Sequence, residues 1–190
     1  MDLSYHEPNQ PALLTEKRLV EISAPDNTGC YSMDWTSEFT AEAESVVLDR
    51  TPPTGSKDGS DWGGYAGLSV RLSKDVQAVL YTGTQGPISI HEGVSRCNAA
   101  VVECSGIVND KPFGMAILDH PKNLNSPASW YLVSEKIRYF SYFSPAVICY
   151  APLVMSKGQT LALRYRIFIH PGKWEPAKLK EKVSTFLNGE

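Results

Sequence analysis

The sequence of 190 residues contains no run of lysine or arginine, no long apolar stretch and no closely spaced pair of cysteines. Each absence removes a class of function. The net charge is -3 and the pI lies near 5.8, so there is no basic footprint and nucleic acid is not an expected partner. No segment approaches the roughly 18 apolar residues of a transmembrane helix, so a membrane is not an expected partner either. The opening "MDLSYHEPNQPALLTEKR" lacks a basic stretch followed by an apolar core and does not read as a signal peptide. As it stands the chain reads as cytoplasmic; if a leader has been removed it reads as periplasmic or secreted, and localisation stays open. Cys30, Cys97, Cys104 and Cys149 are widely spread, and the gap between Cys97 and Cys104 matches no common zinc pattern. They read as buried or half-buried thiols, able to pair only in an exported protein. His6, His91, His120 and His170 form no HxH or HxxxH, and Asp58 and Asp61 lack the alternating oxygen ligands of a calcium loop, so no metal is expected. The absence of a P-loop, a dinucleotide-binding glycine pattern and a GxSxG elbow removes nucleotide hydrolysis and α/β-hydrolase chemistry, and no organic cofactor is expected.

What the sequence does contain is alternation. In "CYSMDWTSEFT" Tyr31, Met33, Trp35 and Phe39 face one way, while Ser32, Asp34, Thr36 and Glu38 face the other, the pattern of a half-buried strand. "QTLALRYRIFIH" lines Leu161, Leu163, Tyr165, Ile167 and Ile169 on one face, with Arg164, Arg166 and His170 on the other. "ESVVLDR" and "AGLSVRL" alternate in the same way. Further strands are expected at "RLVEIS", "AVLYT", "ISIH", "AAVVECSG", "GMAILDH", "IRYFSY" and "AVICYAPLV", divided by the turn signals "APDNTG", "TGTQGP", "VNDKPFG" and "MSKGQ". About ten strands without helical spacers argue against a parallel α/β sheet and for antiparallel sheets packed as a β-sandwich. One helix is expected in "WEPAKLKEKVSTFLNGE", with Leu179, Val183, Phe186 and Leu187 at helical spacing, placed across a sheet edge or the end of the sandwich. The length fits a single domain over residues 1–190.

Three segments are candidates for function. The loop "RTPPTGSKDGSDWGG" is longer than compact domains usually carry and is followed by Tyr65. Its Trp62 and Tyr65 offer flat apolar faces with polar tips, suited to stacking on a sugar ring. The plainer alternative is that these rings fold back onto the core, which is the commoner fate of loop aromatics. The second segment is "DHPKNLNSPASW". His120 beside Asp119 at a strand end can titrate near neutrality and pass protons. Asn123 and Asn125 suit sugar hydroxyls, and Trp130 adds a further ring. Here the plainer alternative is a turn in which Asp119 and Asn123 bond their own backbone. The third is the polar face of the last strand, where Arg164 and Arg166 could hold a carboxylate, although a solvated outer face is commoner. Asp34 and Glu38 stand about 13 Å apart along their strand, too far for a glycosidase pair.

Three blocks carry a resemblance: "DRTPPTGSKDGSDWGGYAGLSVRL", "GMAILDHPKNLNSPASWYL" and "GQTLALRYRIFIHPG". In this order, over roughly residues 30 to 175, the sequence resembles a bacterial family that goes under the label methane oxygenase PmoA. The label itself does not fit, because a methane monooxygenase subunit crosses the membrane and this sequence has no spanning segment. The resemblance implies a β-rich domain of galactose-mutarotase-like supersandwich type and a role in carbohydrate metabolism. It also implies a preceding segment, rich in His, Gly and Trp, that this sequence does not include.

The expectation that follows is a carbohydrate-related β-sandwich, acting as a cofactor-independent epimerase, mutarotase or lyase on a carbohydrate or other small polar ligand. His120 with Asp119 would be the acid and base. Arg71 and Asn123 would orient the substrate, and Trp62, Tyr65 and Trp130 would stack on it. The alternative is a non-catalytic carbohydrate-binding module, or an oligomerisation module that buries the loop aromatics between copies of a homo-oligomer. An enzyme needs His120, Arg71 and a carboxylate at one pocket; a binding module needs only an open aromatic platform.

Overall fold

The computed structural model describes residues 1–135 and 140–188. In chain order the elements are β1 (Asp2–Tyr5), β2 (Leu14–Ile22), β3 (Tyr31–Ala41), β4 (Ser45–Leu48), β5 (Val70–Arg71), β6 (Gln77–Gly83), β7 (Gly86–Ile88), β8 (Val94–Asn98), β9 (Val101–Val108), β10 (Lys111–Asp119), β11 (Ser129–Glu135), β12 (Phe140–Pro145), β13 (Leu153–Ser156), β14 (Thr160–Pro171) and α1 (Pro176–Asn188). An eight-stranded sheet runs β1-β2-β3-β14-β10-β9-β6-β7, a four-stranded sheet runs β5-β12-β11-β8, and β13 pairs with β4. The strand pairings are antiparallel, so the β-sandwich expected from the alternation is the architecture found.

The core lies between the two larger sheets. Ile117, Leu163, Tyr165 and Ile167 of the eight-stranded sheet meet Trp130, Leu132 and Phe143 of the four-stranded one. The Tyr81 hydroxyl crosses the gap and donates to the carbonyls of Val133 and Tyr142, at 2.8 and 3.1 Å. Strict alternation in β14 puts Leu161, Leu163, Tyr165 and Ile167 into this core, as the sequence pattern required.

Several expected elements come out differently. "AGLSVRL" contributes only Val70–Arg71 as strand, because the Gly-rich segment before it holds an irregular path. "AVICYAPLV" yields a strand only from Leu153. Its Val147, Ile148 and Cys149 are buried in a turn, where the Val147 N–H bonds the Ala66 carbonyl and the Cys149 N–H bonds that of Ala146. A short apolar run therefore marks burial and not extension. Part of "IRYFSY" falls on residues 136–139, outside the described residues; Phe140 onward is β12. Strands β1, β8 and β11 form where the sequence alternation predicts none. The helix has the expected extent, but it packs on the outer face of the eight-stranded sheet and not at an edge or end. Leu179 is fully buried against Val101, Ala116 and Leu118, with Phe168, Trp174, Val183 and Phe186 around it.

Candidate functional site

The strand parity of the four-stranded sheet decides which residues look outward. Val70, Phe143, Leu132 and Trp130 point into the core. Arg71, Tyr142, Tyr131 and Arg96 therefore lie on the opposite face, with Arg71 opposite Tyr142 and Tyr131 opposite Arg96 in register. The rings on this face form a connected group. Tyr65 meets Tyr131 at 5.9 Å and Tyr142 at 6.2 Å between centroids, and Tyr131 meets Tyr142 at 5.8 Å. Phe140 stacks on Tyr142 at 6.1 Å. The guanidinium of Arg96 lies 4.8 Å over Tyr131, and that of Arg71 lies 4.8 Å over Phe140. Tyr131 is the buried floor of the group, and burial pushes its phenol up from the ordinary value while Arg96 opposes the shift. The Tyr142 hydroxyl donates to Ser69 Oγ at 2.6 Å, and Ser144 Oγ donates to the Leu68 carbonyl at 2.8 Å.

The glycine-rich arm closes on itself beside this face. The Gly64 N–H bonds the Thr51 carbonyl at 2.7 Å and the Ser60 N–H bonds that of Pro52 at 3.0 Å, so the two ends of the arm meet. A Cβ on Gly63 would collide with the Pro52 carbonyl, and one on Gly59 with that of Pro53, which is why the close approach demands glycine there. Arg50 anchors the base by donating to the carbonyls of Cys149 and Tyr150. Arg96 ties the arm to the aromatic face by donating to the carbonyls of Gly63 and Asp61. With the backbone so held, Trp62 and Tyr65 remain 59% and 42% exposed instead of packing on the core.

The strand-end block takes another place. His120 follows Leu118 at the same parity, which sets it on the outer face of the eight-stranded sheet, where its ring meets Phe186 of α1 edge-on at 5.4 Å. Its Nδ1 accepts from the Lys122 N–H at 3.1 Å. Asp119 is buried; it accepts from Asn123 Nδ2 at 2.8 Å and from the Ala128 N–H at 2.9 Å. Asn123 also donates to the Arg164 carbonyl and accepts from the Arg164 N–H, both at 2.8 Å. This block therefore fastens the 120–128 loop to β14, close to the turn alternative weighed for it. His120 and Arg71 stand on the two opposite outer faces of the sandwich, and the convergence required of a catalytic pocket does not form between them. Trp130, expected as a stacking surface, is fully buried in the core with its indole N–H donating to the Ala99 carbonyl. The outward ring at that point is its neighbour Tyr131, and knowing the parity of β11 would have exchanged the two.

The sequence profile of a family of unknown function, DUF6807, matches residues 1–184. The chain belongs to that family. No curated protein matches it. Membership of DUF6807 carries no activity with it, and neither the methane-oxygenase label nor a mutarotase likeness comes with the match. What this DUF6807 chain does must be argued from its own residues.

Two residues of the third candidate segment, Arg166 and His170, meet partners that the sequence did not point to. The face of β14 read as solvated lies under α1 and the segment leading to it. Arg166 makes a two-pronged pair with Asp34 at 2.6 and 2.8 Å beneath Phe186. His170, 2% exposed, stacks against Trp174 at 3.7 Å, and its Nε2 stands 3.6 Å from Glu103 Oε1, which is itself fully buried. Gly114 gives the imidazole its room, since a Cβ there would collide with the ring. Glu103 Oε1 accepts from the Trp174 N–H at 2.7 Å, whereas Glu103 Oε2, His170 Nε2, Thr82 Oγ1 and Ser105 Oγ have no hydrogen-bond partner. Burial raises the Glu103 carboxyl to about 7 and lowers the His170 imidazole to about 4, so both are neutral in the interval between. No group of three His, Cys, Asp or Glu able to hold a metal ion occurs among the described residues.

Proposed function

We propose that this chain binds carbohydrate on the outer face of its four-stranded sheet. The observation that carries the reading is the group of rings: the exposed Tyr65 and the half-buried Tyr142 meet over the buried Tyr131 at one corner, with Tyr65 and the neighbouring Trp62 held outward by a fixed arm. Sugar rings present C–H faces to such planes and hydroxyls to phenol and serine oxygens, and the hydroxyls of Tyr142 and Ser69 lie on the same face. Rings fixed before the ligand arrives lose little side-chain entropy on binding, which favours a preformed platform.

Binding is favoured over sugar chemistry because the acid or base expected for an epimerase, mutarotase or lyase, His120, packs against α1 on the other outer face. Titration calorimetry with a panel of neutral mono- and oligosaccharides tests the reading. At least one glycan should bind the wild type, and the double variant Trp62→Ala, Tyr65→Ala should weaken it by about tenfold or more, the usual loss for central aromatic anchors. His120→Ala should leave the affinity unchanged. Absence of binding across the panel refutes the reading, as does an aromatic double variant that binds as well as wild type. A subunit contact that dissolves in the double variant would assign the rings to self-association instead.

A further inference from the structure

We infer that the glycan recognised on this face carries a negative charge, and that Arg71 reads it; the inference rests on the carbohydrate-binding proposal above. Three other described arginines are paired with carboxylates. Arg18 pairs with Glu16, Arg50 with Asp49 and Arg166 with Asp34. Arg96 is engaged with the carbonyls of Gly63 and Asp61. Arg71 is exposed and, among the described residues, has no carboxylate within ion-pair distance. It is nevertheless positioned. It stands on β5 directly opposite Tyr142, and its guanidinium lies 4.8 Å over Phe140, the ring that stacks on Tyr142.

Side chains directly opposite on paired strands have Cβ atoms about 5 Å apart, so a sugar ring seated on Tyr65 and Tyr142 would bring an equatorial carboxylate or sulfate within reach of Arg71. A guanidinium resting on an aromatic ring can still offer its N–H groups for a two-pronged bond to such a group. Glu135 stands opposite Phe140 on the same face.

The discriminating measurement compares a uronic-acid trisaccharide with its methyl ester, which keeps the rings and removes the charge. A sulfated neutral trisaccharide is titrated in parallel. The acid should bind about five- to tenfold more tightly than the ester in low salt, as an exposed ion pair allows. The advantage should shrink as added salt shortens the screening length. Arg71→Gln should abolish the acid's advantage over the ester, and Arg71→Lys should keep part of it. Tight binding of the sulfated sugar as well assigns Arg71 to anionic sugars in general; binding of the carboxylate alone assigns it to uronic acids. Equal binding of acid and ester, or a preference that survives Arg71→Gln, overturns the inference and leaves the platform standing. Failure of every sugar, neutral panel included, removes the platform and the inference with it. Arg71 is exposed, so matching thermal midpoints of wild type and Arg71→Gln confirm that the comparison is between folded proteins.

Discussion

Replacing Glu103 by glutamine should stabilise this protein above neutral pH and leave it unchanged in acid. Glu103 is fully buried, and burial raises its carboxyl from 4.5 in an open chain to about 7. The native state thus holds a proton that the unfolded chain releases between those values. Its contribution to stability is complete below pH 4.5 and is lost as the pH rises toward 7. His170 does the reverse: lowered from 6.5 to about 4, its contribution is complete above pH 6.5 and is lost as the pH falls through 4. Across the shared window the two slopes oppose each other and nearly cancel.

Each shift is worth roughly 3 kcal/mol at 1.36 kcal/mol per pKa unit. Glutamine imitates the protonated carboxyl and can still accept from the Trp174 N–H. Glu103→Gln should therefore match wild type near pH 4.5 and exceed it by about 3 kcal/mol above pH 7. Denaturant unfolding followed by tryptophan fluorescence, at constant ionic strength and stepped pH, yields the difference curve directly. Every carboxylate common to both proteins drops out of the difference. The nearby charges of Lys173, Glu175 and Lys182 are retained in both and shift the midpoint of the curve, not its sign. A flat difference would mean that Glu103 is ionised throughout, held by a protonated His170, and would refute the neutral-pair account.

Two further outcomes test the roles given to buried side chains. Asn123→Ala removes three hydrogen bonds that tie the 120–128 loop to Asp119 and the Arg164 backbone, and should cost about 2 to 3 kcal/mol in thermal unfolding without altering glycan affinity on the opposite face. Leu179→Ala empties the centre of the helix contact and should cost about 2 to 4 kcal/mol; a loss below 1 kcal/mol would show that α1 adds little to the fold.

The β-sandwich and its C-terminal helix were legible because alternation and helical spacing are local consequences of which face is buried. Long strands such as β3 and β14 repeat the signal often enough to be unambiguous. Short ones fail: β5 is two residues long, and the apolar run around Val147 is buried in a turn. The aromatic site was half legible. Trp62 and Tyr65 stood out because glycines surround them. Tyr131, Tyr142 and Arg96 did not, since each belongs to a strand whose facing is set by its partners.

The order of residues alone determined the class of fold and the strand faces of the longest elements, because each depends on neighbours within a few positions. Only the tertiary structure decided that His120 and Arg71 lie on opposite outer faces, that Trp130 points into the core while Tyr131 floors the ring group on the other face of its sheet, and that Glu103 and His170 are sealed together. These outcomes depend on which strands pair and what covers them, and a strand carries no local mark of its partner or of the helix that will lie across it.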